Sequence, residues 1–588
     1  MPTGAPTLLR TTLSMRDDLK AVAWPIAVGD GPSVLIVGAG MGGLSLALAL
    51  DKRGLTNWMV RRGGRGRGLT QIFEKADGVG GTWWTNRYPG CRVPAIAYQH
   101  SAHLNPAWSE THPERAEIQH YWEALARGEG LWPRIKLRYT AVRAEWDASD
   151  AAYYVVMRSG DGEEHIYRAD VLVNACGMLS TPRAGVPGAE SFGGRVMHAA
   201  DWPADLPAED LRGRVVVVGN GCSGVQIVGA LSALPVDVTV VAHTRQWFVP
   251  SPRGAPRHSV LHTPSQIARW RRWPLLLRLE RVRAQWRMDA KFAWYRTREG
   301  AAARKRMEEG IGAWMRAALP EYMRDTVPSY SFGARRLIYE DGYFDALKRN
   351  ARFVDGRVER ITRGSVVLSD GREIPADTIV LATGYDAAAV AFPVVGDADA
   401  TGNYASRTEW TVYRGIAMPG IPNFFTVFGN NMYLNHISVS SVLEIQAAYI
   451  ARIVAAMRDH GVRRLAVTRA AADAYHTWLD ERLRLMVWYE VASFWRAGGT
   501  GRIFTHYPGS VKRLWWENTW PRWDDWEGAE PMRRWRRIRR VLWLLVVVVA
   551  AWVSRGRVLG QRIASILAPR VRVLAAMEAV RRRIADSK

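Results

Sequence analysis

Two stretches of this chain repeat one pattern that few folds can accommodate. Val34-Leu35-Ile36-Val37 is a short apolar run, followed by Gly38-Ala39-Gly40-Met41-Gly42-Gly43 and an apolar helical stretch over Leu44–Arg53. Val215-Val216-Val217-Val218 leads likewise into Gly219-Asn220-Gly221-Cys222-Ser223-Gly224 and an apolar helix to about Ala233. Each reads as strand, glycine turn and helix. In G-x-G-x-x-G the first glycine permits the tight turn. The second lets backbone approach a pyrophosphate, and the third lets the helix pack on the strand. Gly38, Gly40 and Gly43, and again Gly219, Gly221 and Gly224, therefore predict two separate dinucleotide sites. The expected fold class is α/β: two Rossmann-like dinucleotide-binding domains, a helical insertion and a C-terminal basic, apolar tail.

A length of 588 residues suits several domains. The net charge of +24 points to an anionic partner. That charge is unevenly spread: residues 531–588 hold fifteen Arg and Lys against Glu578 and Asp586 and so supply +13 of it. The body is only modestly basic, and no zinc-finger, helix-turn-helix or RRM-type pattern is present, so no nucleic-acid partner is expected. Cys91, Cys176 and Cys222 are far apart and form neither a disulfide framework nor a metal spacing. No metal site is expected, and a reducing cytoplasm fits. Asp17 and Asp18 interrupt any charged-then-apolar leader pattern.

Residues 264–316 carry Arg, Trp and Leu at helical spacing and read as a helical insertion. The strand ending in Gln71-Ile72-Phe73-Glu74 places Glu74 where a carboxylate would hold a ribose hydroxyl. It lies later than usual because Val60–Gly68, rich in Arg and Gly, is inserted. This insert reads as a loop, with an RNA-binding patch as the lesser alternative. After the second unit, a cation is needed to choose a 2′-phosphate. Val238–Val241 is followed by Ala242-His243-Thr244-Arg245, which offers His243, Thr244 and Arg245.

Between the two units stands Phe192-Gly193-Gly194-Arg195-Val196-Met197-His198-Ala199-Ala200-Asp201-Trp202-Pro203, in what reads as a linker. Its F-x-G-x-x-x-H-x-x-x-W-P pattern resembles the fingerprint of Baeyer–Villiger monooxygenases, a type of class B flavin-dependent monooxygenase. The resemblance covers about residues 31–525. Gly80-Gly81-Thr82-Trp83 and Asn86-Arg87-Tyr88-Pro89-Gly90-Cys91-Arg92 resemble the family's FAD side, implying that Gly81, Thr82, Trp83, Asn86 and Tyr88 bind FAD. The second glycine unit is implied to hold NADPH, with NADH the alternative because His243 stands where the family has Arg. Gly333-Ala334-Arg335-Arg336 resembles the family's Gly-x-Lys-Arg. Arg335 is implied to touch cofactor phosphate, and Arg336 to hold the nicotinamide and stabilise the flavin peroxide. A plain surface Arg pair is the alternative. Leu381-Ala382-Thr383-Gly384-Tyr385 and Asn174-Ala175-Cys176-Gly177 resemble the segments that join the two domains. Gly429-Asn430-Asn431, running to His436, resembles a segment that closes over the flavin, with Asn431 matching. His198 and Trp202 join Arg336 as residues implied to govern catalysis, His198 through domain geometry. After Val93 the family's Asp is missing, as a two-residue deletion before Tyr98 best explains. In the family that carboxylate partners the active-site Arg.

The expected domains are 31–180, FAD-binding; 181–375, NADPH-binding with the insertion; 376–530, FAD-binding again; and 531–588, the tail. The resemblance implies that a C4a-peroxyflavin forms from FAD, NADPH and O2 and inserts one oxygen atom into a lipophilic ketone, giving an ester or lactone. N- or S-oxygenation, or an uncoupled membrane-tethered NADPH oxidase, are the alternatives. Val541–Val553 is an unbroken apolar run of thirteen between Arg clusters, short of the roughly 20 residues of a span. Membrane association on the cytoplasmic face is expected of it, with a buried helix or oligomer contact as the alternative.

Overall fold

The computed structural model describes residues 24–25, 32–55, 70–92, 103–250, 259–397, 403–409 and 411–555. The Arg-Gly loop, the segment around the missing Asp and the tail beyond 555 lie outside these residues. The chain opens with β1 (Val34–Val37) and helix α1 (Met41–Asp51). β2 (Thr70–Glu74), β3 (Ile135–Leu137) and β4 (Val171–Asn174) extend a parallel sheet around β1. All four residues of β1 are buried. Val34 and Ile36 face the large helical core; Leu35 and Val37 face a second cluster with Tyr153, Val155 and Met157. Burial on both faces is why the strand reads as an unbroken apolar run. Tyr153, Val155 and Met157 belong to an antiparallel sheet built on Tyr139–Asp147, Ala152–Ser159 and Glu164–Ala169.

The second parallel sheet contains β5 (Arg195–His198), β6 (Arg214–Val218), β7 (Asp237–Ala242), β8 (Ala351–Asp355) and β9 (Thr378–Leu381), in the order β8-β7-β6-β9-β5. Helix α2 (Cys222–Leu231) follows β6. Two expectations change here. The stretch around His198 is more than a linker: it supplies the edge strand β5, paired in parallel with β9. Four residues flanked by turns are too short to show a period. The expected boundary at 376 also falls one strand early, because β9 pairs with β6 in the second sheet. The chain returns to the first sheet only at β10 (Phe424–Thr426), beside β4. The second domain is thus inserted between neighbouring strands of the first.

Helix α3 (Pro274–Asp289), flanked by helices Pro264–Arg272 and Ala301–Ala318, occupies the insertion. Helix α4 (Val439–His460) packs along α1. Among the described residues it is the one helix long and apolar enough to cross a membrane, yet 67% of its apolar window is buried inside the protein. Helices α5 (Val511–Glu517) and α6 (Glu530–Arg555) follow. α6 is tied down at its start, where Arg533 donates to the Trp523 and Trp526 carbonyls and Arg536 pairs with Asp524 at 2.8 Å. From Val541 to Val547 every apolar side chain is exposed, on all sides of the helix.

Asn423 clamps the point of return. It is buried in the left-handed region (φ 52°). Its amide nitrogen donates to the Asp170 and Arg463 carbonyls at 2.9 and 2.7 Å, and its amide oxygen accepts from Leu465 N–H at 2.8 Å. Asn423→Ala leaves these backbone groups unpaired and is expected to cost about 3 kcal/mol, read as a lowered thermal midpoint. An unchanged midpoint would show that the clamp carries no stability.

Candidate functional site

The carboxyl ends of the two parallel sheets border one cavity of about 930 Å³, near the top of the range for small-molecule sites, about 300–1,000 Å³. Gly38, Gly40 and Gly42 of the first glycine turn line it, with Cys222 and Ser223 of the second. Gly38 and Gly219 have φ of 110° and 109°. A Cβ on Gly38 would lie 2.7 Å from the Ala175 carbonyl oxygen, and one on Gly219 would lie 2.6 Å from that of Ala382. Gly43 and Gly224 pack on the Gly38 and Gly219 carbonyls so closely that no Cβ fits. Gly221 meets nothing within 4 Å of where its Cβ would be, so backbone there is open to a ligand.

On the first unit, Glu74 accepts from Ala39 N–H at 2.7 Å and from Ala76 N–H at 3.0 Å. Burial pushes its carboxyl above the ordinary value, against those bonds. Gly40 faces Gly81, and the short helix Thr82–Thr85 puts Thr82 and the buried Trp83 on the cavity wall. The Trp83 carbonyl accepts from Arg115 Nε at 2.6 Å. Tyr88 bridges to the second unit: its hydroxyl donates to Gln226 Oε1 and accepts from Ser223 Oγ, both at 3.1 Å. Asn86 Oδ1 accepts from the Tyr385 hydroxyl at 2.7 Å. Through these bonds the Asn86–Tyr88 segment holds both a domain crossing and the second glycine helix.

Arg336 lines the cavity. The Cys222 thiol, then the Tyr433, Tyr88 and Tyr339 hydroxyls, hold its pKa above the ordinary value, so its charge is fixed. Among the described residues no carboxylate pairs with it. Arg335 points elsewhere: its Nη2 donates to the Ala492 carbonyl at 2.6 Å, and its guanidinium lies 5.6 Å from the Tyr330 ring. Its charge acts on His243, which meets Asn220, Thr244, Arg245 and Asp355 in a smaller cleft. Partial burial, then the charges of Arg357 and Arg335, lower the His243 pKa and keep the ring neutral. Arg245 lines this cleft, and Arg335 and Arg357 stand near enough for their charges to act on His243. Arg357, on the turn after β8, carried no signal in the sequence.

Three expected residues take other positions. Asn431 is off the cavity: its amide donates to the Ile503 and His506 carbonyls, each at 3.0 Å, and so fastens the neighbouring segment. His198 and Trp202 also stand behind the wall, which Ala200 and Asp201 form between them. Trp202 is buried, with Nε1 donating to the Leu206 carbonyl at 3.1 Å. His198 Nδ1 accepts from Ala200 N–H at 3.0 Å, so the ring proton sits on Nε2, which donates to Thr383 Oγ1 at 3.2 Å. Trp202 thus bonds within its own loop, and His198 bonds to the domain crossing. There Asp386 N–H donates to the Thr181 carbonyl and Arg183 N–H to the Gly384 carbonyl, zipping the two crossings together.

Asn435 and Asp289 were not singled out by the sequence, whereas His436 ends the segment that resembles one closing over the flavin. Both amide atoms of Asn435, on the cavity wall, are buried without a partner among the described residues. His436 Nε2 meets Asp289 Oδ1 at 3.1 Å, both nearly fully buried, while its Nδ1 has no partner among the described residues. Burial works against the Asp289 charge, yet His436 and the Val511 and Lys512 N–H groups hold its carboxyl below the ordinary value. Orphaned buried polar groups on a cavity wall are positions for a ligand to satisfy. Beyond them the wall is aromatic and apolar, with Tyr295, Trp294, Phe332, Phe494, Trp495 and Met307.

The family profile of pyridine nucleotide-disulphide oxidoreductases matches residues 32–254. An uncharacterized monooxygenase of Mycobacterium tuberculosis is 32% identical over 439 residues, covering 72% of this chain and 84% of the relative. A Baeyer–Villiger monooxygenase of Streptomyces coelicolor is 30% identical over 495 residues, covering 81% and 89%. Among solved structures, OTEMO in complex with FAD and NADP aligns with a TM-score of 0.72 at 21% identity, covering 84% of this chain and 99% of that one. The closed form of cyclohexanone monooxygenase gives 0.70 at 22%, with the same coverage. These likenesses establish the shared fold.

Burial lowers the His198 pKa below its unfolded value near 6.5. The native state then binds fewer protons than the unfolded chain, so this stabilisation is complete above the unfolded value and is lost as pH falls through the folded one. His198→Gln removes that titration. Between pH 7.5 and 5.5 the wild-type thermal midpoint is expected to fall further than the variant's, and equal falls would sink the assignment.

Proposed function

The chain belongs to the Baeyer–Villiger monooxygenase family, and on that premise we propose that it inserts one oxygen atom of O2 beside the carbonyl of a lipophilic ketone. One NADPH is oxidised, the second oxygen leaves as water, and the product is an ester or lactone. The single observation carrying this reading is the fixed charge of Arg336 in a cavity that joins both glycine turns. The residues present fit the two cofactors. The first glycine turn, Glu74 and Gly81 make a cradle that a Cβ would fill, and Asn435 offers an unpaired donor and acceptor. The open backbone at Gly221 and the Arg245–Arg335–Arg357 cluster suit a dinucleotide bearing a 2′-phosphate.

When bound, FAD reduced by NADPH supplies the oxygen-activating chemistry. The chain's own residues do the rest. Arg336 stabilises negative charge that develops during transfer. Asn435 and His436 satisfy polar edges, with Asp289 keeping the His436 proton on Nε2 and Nδ1 free to accept. Tyr295, Trp294, Phe494 and Trp495 exclude water and accept an apolar substrate. His198, Thr383 and the Tyr385–Asn86 bond set how the two domains meet. The projecting apolar length of α6 and the basic residues after it are assigned to a membrane surface, which would concentrate such a substrate.

One observation favours a second reading, N- or S-oxygenation: Arg336 lacks a carboxylate partner among the described residues. A panel of ketones and thioethers given to the FAD-loaded protein separates the two. Ester without sulfoxide supports the first; sulfoxide without ester sinks it.

Arg336→Ala is expected to lower product formation about 10²–10³-fold, the usual loss for one preorganised charge donor, while flavin reduction by NADPH continues. Arg336→Lys, which keeps the charge but loses the planar fork, should recover only part. Arg245→Ala with Arg335→Ala is expected to raise the KM for NADPH roughly tenfold or more and leave that for NADH unchanged. Equal effects on both cofactors would remove the cluster from phosphate selection.

A further inference from the structure

Helix α3 is apolar on two opposite sides. Leu277 and Ala284 are buried inward, and Met288 on the same side forms part of the cavity wall. Leu275, Leu279, Val282 and Trp286 follow at i, i+4, i+7 and i+11, within an arc of roughly 60° on the other side, and all four are exposed. A helix that only closes a cavity needs one apolar stripe. The outer stripe also continues sideways. Lys512 Nζ lies 4.3 Å over the Trp286 ring, which joins α5 to α3. One turn beyond Lys512 is Trp516, 73% exposed, with Trp515 and Trp520 exposed beside it. Scattered apolar residues on a surface are ordinary, but a patch of four tryptophans and three aliphatic side chains is an interaction site.

The rim of this patch is cationic, with Arg271, Arg272, Arg278, Arg283, Arg287 and Lys512. The exposed face of α3 carries one acid, Glu280, already paired with Arg283 at 3.6 Å. Like charges would meet if two copies joined through this face, whereas an anionic bilayer matches both the tryptophans and the cations. The patch also shares a support with the projecting part of α6. Along α4, Glu444 pairs with Arg281 of α3 at 2.6 Å, Arg452 donates to the Asn518 carbonyl just after α5, and the His460 ring contacts Trp535 of α6.

We propose that the outer stripe of α3 and the α5 tryptophans dock this protein on an anionic bilayer, so that one helix is both lipid-facing surface and cavity wall. A lipophilic substrate would then pass from the bilayer across about one helix diameter, roughly 10 Å. The delivery role rests on the oxygenase reading of the cavity; the lipid contact does not.

The test uses the full-length, FAD-loaded protein with vesicles of phosphatidylglycerol and phosphatidylcholine, or of phosphatidylcholine alone. Hydrogen exchange over 274–289 and 511–520 is expected to slow with the anionic vesicles. The variant Leu275→Gln, Leu279→Gln, Trp286→Gln, Trp516→Gln should lose that protection. Its KM for a ketone dissolved in the vesicles should rise about tenfold or more, while turnover of a water-soluble ketone stays unchanged. Unaltered exchange over both segments in the wild-type protein overturns the proposal without reference to any variant. So does protection confined to α6 and the residues after it. Protection that appears without lipid and grows with protein concentration also overturns it, since the face would then join two copies. If both segments are protected but no ketone is oxygenated, the oxygenase reading fails and the docking face stands.

Discussion

The structure depends on a contact between two carbonyl oxygens and two glycines. Where the chain leaves β4 the Ala175 carbonyl presses on Gly38, and where it leaves β9 the Ala382 carbonyl presses on Gly219. Any side chain at either glycine would drive the crossing segment off its sheet. That contact fixes where each crossing begins, and from there Thr181, Arg183, Gly384 and Asp386 are zipped by backbone bonds. The cavity is the space these fixed crossings leave open at the carboxyl ends of both sheets, where ligands of open parallel sheets bind. Tyr88 and Asn86 then span it, so the geometry of one glycine helix is transmitted to the other through side-chain hydroxyls and amides.

Both glycine units were legible in the sequence because their signal is local: a buried run, a turn that admits no side chain and a helix, all within about twenty residues. Glu74 and Arg336 were also legible as positions, since both motif residues stand on the cavity wall. What the sequence hid was direction. Asn431 fits its pattern, yet a chain segment some seventy residues later approaches it and engages its amide. Asn435, four residues on, faces the cavity instead. Asp289 and His436 are 147 residues apart and meet only because α3 packs against the start of α4. No periodicity within either helix reports such a meeting. His198 and Trp202 were visible as a pattern, but their place behind the wall follows from a four-residue edge strand too short to announce itself.

Arg336 and the second cleft show two ways of placing positive charge. Arg336 has no carboxylate to neutralise it among the described residues, and its neighbours are hydroxyls and a thiol. At the cleft, burial and then the charges of Arg357 and Arg335 keep His243 neutral, and Arg245 lines the same cleft. Three cations on flexible stems suit a phosphate that arrives and leaves, whereas one enclosed guanidinium suits charge that appears only during reaction.

The inserted second domain enters and leaves through two strands that lie side by side, one at residues 181–183 and the other at 384–386. Both covalent links between the domains therefore lie at one point and are bonded to each other there, so a substitution at either crossing is felt by the other. The remaining ties between the units include side-chain bonds, those of Tyr88 to Gln226 and Ser223 among them.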